Sequence, residues 1–383
     1  MKRHLIGSLA VLTLACSVVL FAGCERQGGS GEGGGTGRAG RAPLVGIAMP
    51  ETHVQRWQTD GANLRSALER RGYRVEVAFA NADQSLQNRQ IQTFLTNGAR
   101  LIIVGNVNEG VASAVSDAAR DRVPIIAYDR LIMNSADFEY YITFDNFRVG
   151  VFQGQAIADA LNLATTTTPR HITLFAGSPT DNNARFFFDG AMSVLNPHIQ
   201  AGRLVVVGPY PQTSADTANF MRIATENWLA PVAKTRMENL LNADARDVVL
   251  DAVLAPNDTL ARAIIEALLT DPKYVNNLPV VTGQDAEFAS VLSIRNGQQF
   301  MTVFKDTNQL ADAAAELAHQ ILSDVPRNVP GTIRATGDLT SIGDTGRRVV
   351  TTFLLEPIVI KQNNIHVTVD AGFFSDAEAA QLR

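Results

Sequence analysis

One feature constrains this chain more than any other. Short, uniformly apolar stretches alternate with longer ones whose apolar residues recur at helical spacing. "PLVGIAMP", from Pro43, reads as a strand, and "RWQTDGANLRSALERRG" reads as a helix that stops at Gly72, a residue suited to a helix C-cap. "YRVEVAFA", "ARLIIVGNV", "VPIIAYDR" and "YYITFDN" continue the strands. Helical patterns over "DQSLQNRQIQTFLTNG" and "GVASAVSDAARDR" separate the earlier ones. Strands that are apolar throughout, joined by helices, imply a parallel sheet covered on both faces.

The rhythm restarts near residue 147. "FRVGVFQGQAIADALNL" is helical, "HITLFAGS" is a strand, and a helix follows from about Asn182 to Leu195. "RLVVVGPY", "DVVLDAVLAP", "LPVVTGQD" and "QFMTVFKD" are further strands. The helices among and after them are a long stretch from about Thr217 to Asn242, broken before Pro231, then "DTLARAIIEALLT", "EFASVLSIRNG" and "TNQLADAAAELAHQILSD". The tail "RRVVTTFLLEPIVI" is extended, with a proline break. No short-period repeat is present. Two similar α/β halves in 383 residues predict two doubly wound lobes.

The amino terminus is of another kind. "MKRH" is basic, and Leu5 to Gly23 is an apolar run ending in small residues. Residues 1–23 therefore read as a secretory signal. The run is also long enough to span a membrane, so a retained anchor is the alternative. "LFAGC" resembles a bacterial lipobox, which implies cleavage before Cys24 and lipidation there, with Cys16 as the other candidate. Residues 24–42 would then form a lipidated, Gly-rich tether. Both cysteines lie in this segment. The body beyond it can hold no disulfide and no cysteine-ligated metal. The net charge of −5 argues against nucleic acid as a partner.

Ligands of open α/β sheets bind beyond the carboxyl ends of the strands. Here those ends carry Arg56 and Trp57; Asp129 and Arg130; Asp181, Asn182 and Asn183. In the second half they carry Asn257 and Asp258, Gln284 and Asp285, and Lys305 and Asp306. Such a set can both donate to and accept from hydroxyl groups, and arginine can fork across two oxygens. Trp57 and Trp228 are the only tryptophans, and an indole face can cover the C–H face of a sugar ring. A neutral polyol between Asp129 and Arg130 fits this chemistry. Structural roles stand beside the binding one. Asp181, Asp258 and Asp306 suit helix N-caps, Asp129 and Arg130 could form an ion pair, and Trp228 could belong to the core.

Catalytic signatures are missing. The sequence has no GxSxG, HExxH or Walker loop. "GNVNEG" lacks the dinucleotide spacing, and the six histidines are scattered. The strand-end acids alternate with Arg and Lys, which hold carboxylates ionised rather than readying one for acid catalysis. The chain reads as a binding protein, not an enzyme, and needs no cofactor or metal.

The ordered motifs "GIAMP…RW…D", "IAYDRLIMNS", "YYITFDNFRVGV", "GSPTDNNARFFFDGAMSVL", "VLAPND", "GQDAE" and "TVFKDT" resemble the periplasmic sugar-binding proteins of ABC importers. Within them the chain is similar to the branch of xylose-binding and multiple-sugar-binding proteins. The resemblance runs from about Leu44 to the carboxyl end. It implies a type I periplasmic binding protein fold: two Rossmann-like lobes with parallel sheets, joined by three crossover strands and closing on a sugar. It implies a first lobe of 43–146 plus 307–335 and a second of 147–306 plus 336–383. By motif it implies ligand contacts at Arg56, Trp57, Asp129, Arg130, Asp181, Asn183, Asn257, Asp285 and Lys305, with Trp228 as a second stacking residue. The stretch before Trp228 is longer than in xylose binders, which leaves the sugar open. The implied role is a lipid-anchored, periplasmic solute-binding protein for a monosaccharide of xylose, glucose or galactose type. Its partner would be an ABC permease and its body monomeric. The alternative is a sensor that presents its closed form to a chemotaxis or kinase receptor. A repressor of this fold would need a DNA-binding segment where the signal and tether stand, and a secreted hydrolase would turn over a glycoside.

Overall fold

The computed structural model describes residues 42–383. The expected signal, the lipidation at Cys24 and nearly all of the tether lie outside the described residues. The first strand, β1 (Leu44–Met49), is buried at every position, so both its faces need cover. The chain supplies that cover by alternation. After β1 come α1 (Arg56–Arg70), β2 (Arg74–Phe79), α2 (Gln84–Thr96) and β3 (Ala99–Val104). Then follow α3 (Ala112–Arg120), β4 (Ile125–Tyr128) and β5 (Tyr140–Phe144). Strands β1 to β5 pair in parallel.

The chain crosses to the second lobe at Asp145, whose carboxylate caps α4 (Asn146–Ala160). β6 (Arg170–Leu174), α5 (Asn182–Gln200), β7 (Leu204–Val206) and α6 (Thr217–Ile223) follow. A 3₁₀ turn over Glu226–Trp228 then leads into α7 (Ala230–Asn242). The break expected before Pro231 is this stretch between α6 and α7, and Pro231 sits in the first turn of α7, where a missing N–H costs nothing. β8 (Ala252–Leu254), α8 (Asp258–Leu268), β9 (Val280–Val281), α9 (Phe288–Arg295) and β10 (Thr302–Phe304) complete the alternation. The second sheet has the order β7-β6-β8-β9 and is parallel. α4 and α5 pack backbone to backbone at Gly190, where a Cβ would stand 2.1 Å from the Phe147 carbonyl oxygen. That close approach seats α5, which carries site residues, against α4.

A second crossing at Lys305–Asp306 returns the chain to α10 (Thr307–Leu322), which packs on α1. The tail corrects one expected boundary. β11 (Ile333–Arg334) and β12 (Thr351–Leu355) both join the first sheet, whose order is β11-β12-β5-β4-β3-β1-β2. β12 runs parallel to β5, with Thr351 beside Tyr140 and Leu355 beside Phe144. Residues 336–355 thus stay with the first lobe, because the apolar "TTFLL" covers the otherwise open edge of β5. The third crossing falls at Glu356–Pro357. β13 (Ile358–Ile360) then pairs antiparallel with β10. α11 (His366–Asp370) and α12 (Asp376–Leu382) end the chain, α12 packing on α9.

Candidate binding cleft

The carboxyl ends of the two sheets face each other. All ten residues expected from the sequence, Arg56, Trp57, Asp129, Arg130, Asp181, Asn183, Trp228, Asn257, Asp285 and Lys305, line one cleft. Val54, Phe187 and Gln284 complete the lining. The space between these side chains, including what is open to solvent, is about 320 Å³. Gln284 was legible as a strand-end amide. Phe187 follows Asn183 by one helical turn, which puts both on the same face of α5. Val54 carries no signal that separates a cleft wall from a core.

The charges do not pair as neighbours in sequence. Asp129 turns to Arg56, whose Nη2 lies 3.1 Å from its Oδ1. Arg130 turns to Glu51 at 2.8 Å and across the lobes to Asp181 at 2.9 Å. Asp285 meets Lys305 at 2.9 Å and Arg56 of the opposite lobe at 3.6 Å. Glu51 is a residue that sequence reasoning missed. Its Oε1 also accepts the Trp57 indole N–H at 3.1 Å. Arg56 and Arg130 each stand 4.9 Å from the Trp57 ring centroid, a favourable cation–π distance. Every cleft carboxylate already has a cation beside it, so the donor set does not suit a metal ion.

Proximity here is not satisfaction. Asp129 Oδ1, Arg130 Nε and Asp285 Oδ1 are buried and meet their partners as ion pairs without hydrogen-bond alignment, and the buried Gln284 Oε1 has no partner. A buried polar group with no partner at all costs roughly 1–3 kcal/mol; the ion-paired atoms forgo less, but each keeps hydrogen-bonding capacity that a ligand could use. The orphans include both donors and acceptors and come from both lobes. Hydroxyl groups, which donate and accept at one atom, can satisfy such a mixture.

Burial pushes the Asp129 carboxyl up, but the charges of Arg56, Lys305 and Arg130 overcome it and hold the group below its ordinary value. Asp181 goes the other way, because burial outweighs the pull of Arg130. Behind Arg56 lies Asp60, fully buried, 2.9 Å from its guanidinium. Burial raises the Asp60 carboxyl to about 6 despite that cation, since Arg56 also serves Asp129.

Capping and lining coincide at two positions. Asp181 accepts the Asn183 N–H at 3.0 Å, and Asn257 accepts the Leu260 N–H at 3.0 Å. Asp306 caps α10 and does not line the cleft. Asp258 does not line it either; it accepts from Gln299, Thr302 and the Glu287 N–H. Asn183 bridges the lobes, donating to the Asp129 carbonyl at 2.8 Å and accepting from Asn146 at 2.9 Å. Only part of its amide is left for a ligand.

Trp228 is buried and lines the cleft, its indole N–H donating to Asp181 at 3.2 Å. Gly177 makes room for it, because a Cβ there would stand 2.0 Å from the indole.

Comparison with known proteins gives this geometry a context. The model of the periplasmic binding protein domain matches residues 45–324. The multiple sugar-binding periplasmic protein of Azospirillum brasilense is 40% identical over 340 residues, covering 88% of this chain and 91% of that protein. The multiple sugar-binding periplasmic receptor of Rhizobium radiobacter is 38% identical, covering 88% and 92%. Among solved structures, an ABC transporter solute-binding protein of Clostridium phytofermentans with bound β-D-glucose superposes with a TM-score of 0.79 at 35% identity. That match covers 88% of this chain and 99% of the other.

Proposed function

The chain belongs to the periplasmic binding protein family, and from that premise we propose that it is the periplasmic solute-binding component of a carbohydrate ABC importer. It takes one monosaccharide, an aldose of glucose, xylose or galactose type, between its lobes. It binds and releases that sugar and does no chemistry on it. The observation that carries this reading is the set of buried, unmatched polar atoms contributed by both lobes. The relative with bound glucose supports the ligand class.

In this reading Arg56, Trp57, Asp129 and Arg130 hold the ligand from the first lobe. Asp181, Asn183, Asn257, Asp285 and Lys305 hold it from the second, and Trp228 covers one ring face. A ligand that contacts both lobes favours the closed arrangement by its differential affinity for it. The three crossings at Asp145, Lys305–Asp306 and Glu356–Pro357 are where the lobes would hinge, and a permease reads the closed surface. We also propose export on the amino-terminal signal, a lipid on Cys24 and a monomeric body held to the membrane by the tether. Mass spectrometry of the protein from bacterial membranes tests the lipid, which Cys24→Ser should abolish. A sensory role is the second reading, favoured by the relative whose name is that of a receptor.

Thermal-shift titration against a panel of aldopentoses and aldohexoses tests the main reading. Ligand that binds only folded protein raises the melting temperature. A rise with one or a few aldoses is expected. Flat curves across the panel, from well-folded protein, would overturn it.

A further inference from the structure

One cross-lobe contact lies outside the motifs that define the cleft. His53 sits in the loop between β1 and α1, and its Nε2 lies 2.9 Å from the backbone carbonyl oxygen of Asn227 in the second lobe. A carbonyl only accepts, so Nε2 carries the proton. The same nitrogen is 4.0 Å from Glu51 Oε2, the carboxylate whose other oxygen holds the Trp57 indole. His53 therefore touches the supports of both tryptophans.

The turn it meets is strained. Asn227 and Trp228 are consecutive left-handed residues, with φ of 49° and 57°. Asparagine tolerates that region, but a bulky residue there is an outlier. Such strain persists only where the surroundings hold it, and it gathers at ligand clamps. On its own side the turn is held by Trp228 N–H to Thr225 at 3.1 Å and by the indole to Asp181. From the first lobe it is held by His53. The indole lies directly on Gly177, so it cannot retreat without losing that packing.

We propose that His53 is a positioning and specificity-determining residue that fastens the Trp228 turn across the mouth of the cleft, so that the lobes enclose a single unsubstituted sugar ring and release it slowly. The inference rests on the binding reading above. A ligand extended by a second ring toward this turn must break the His53–Asn227 bond to be enclosed.

The test compares wild type with His53→Ala and His53→Gln in the full-length protein. Stopped-flow kinetics with D-glucose should show dissociation about fivefold faster in His53→Ala, the effect of one exchanged hydrogen bond, with association changed less than twofold. His53→Gln, whose amide N–H can reach the same carbonyl, should recover most of the loss. Maltose should be refused by wild type and should bind His53→Ala measurably. With saturating D-glucose, which holds the lobes closed, hydrogen exchange across residues 225–229 should quicken in His53→Ala. Unchanged glucose dissociation together with unchanged exchange at 225–229 would overturn the proposal. A wild type that binds no aldose sinks the binding reading, and this proposal with it.

Discussion

Asp129 and Asp258 make an instructive pair. Both are acids at the carboxyl end of a central strand, both are buried, and both follow an apolar run. Asp258 receives three hydrogen bonds, from Gln299 at 2.8 Å, Thr302 at 2.9 Å and the Glu287 N–H at 3.0 Å. Its acceptor capacity is spent within the second lobe. Asp129 is held by the charge of Arg56 and keeps an oxygen without an aligned donor. Burial alone therefore does not mark a binding residue. What separates Asp129 from Asp258 is hydrogen-bonding capacity left over at the wall of the cleft. The two acids also titrate differently. Burial drives Asp258 well above its ordinary value, while the cations around Asp129 more than offset its burial.

The sharpest way to break this comparison is to remove the satisfied acid. Asp258→Ala strands three buried donors, at about 1 kcal/mol each. A loss of about 3 kcal/mol in denaturant unfolding is expected, with sugar affinity of the folded protein unchanged. A large affinity loss without a stability loss would reverse the assignments.

Asp60 tests how the cleft charges are supported. Its carboxyl stands at about 6 against an ordinary value of 3.8. The folded state thus binds the extra proton between those values, and stability from this group falls as pH rises through that window. The effect is at most about 3 kcal/mol. Melting curves of wild type and Asp60→Asn from pH 4 to 7 should show wild type losing ground to the variant as pH rises. A constant difference would remove Asp60 as the titrating group.

Arg130→Ala addresses the unsatisfied side directly. It removes the orphan Nε and frees the charges of Glu51 and Asp181. Calorimetric titration should show affinity lower by more than about tenfold, since hydrogen bonds to charged groups contribute roughly 1.5–3 kcal/mol. Unchanged affinity would take Arg130 out of the site.

The smallest effect sharpens the role of the aromatic wall. Gly177→Ala must displace the Trp228 indole, and an aromatic contact is worth about 0.5–1.5 kcal/mol. Affinity should fall severalfold, and intrinsic fluorescence should report the moved indole. Full affinity would make Trp228 a core residue, one of the two roles its sequence context allows.

Much of this site was legible because its chemistry is local. An acid or amide after an apolar run is both a cap for the next helix and a group at the sheet's binding edge, and Asp181 and Asn257 serve as both. Gln284 and Phe187 were one inference away, through strand ends and helical spacing. Glu51 was not legible. It matters because β3 alone separates β1 from β4, which brings Arg130 to it from 79 residues away. The return of β12 to the first sheet was misplaced because an extended apolar segment does not say which sheet edge it will cover.

The sequence by itself determined the parallel α/β character, the restart near residue 147 and a set of polar residues at the strand ends from which most of the cleft lining is drawn. Each of those follows from the period of apolar residues and from backbone groups that must be satisfied within a few residues. Tertiary structure alone decided which charges meet, which polar atoms stay unmatched, and that His53 reaches a carbonyl 174 residues away. Those contacts depend on strand order and on how the lobes face each other, and neither is encoded in any one segment.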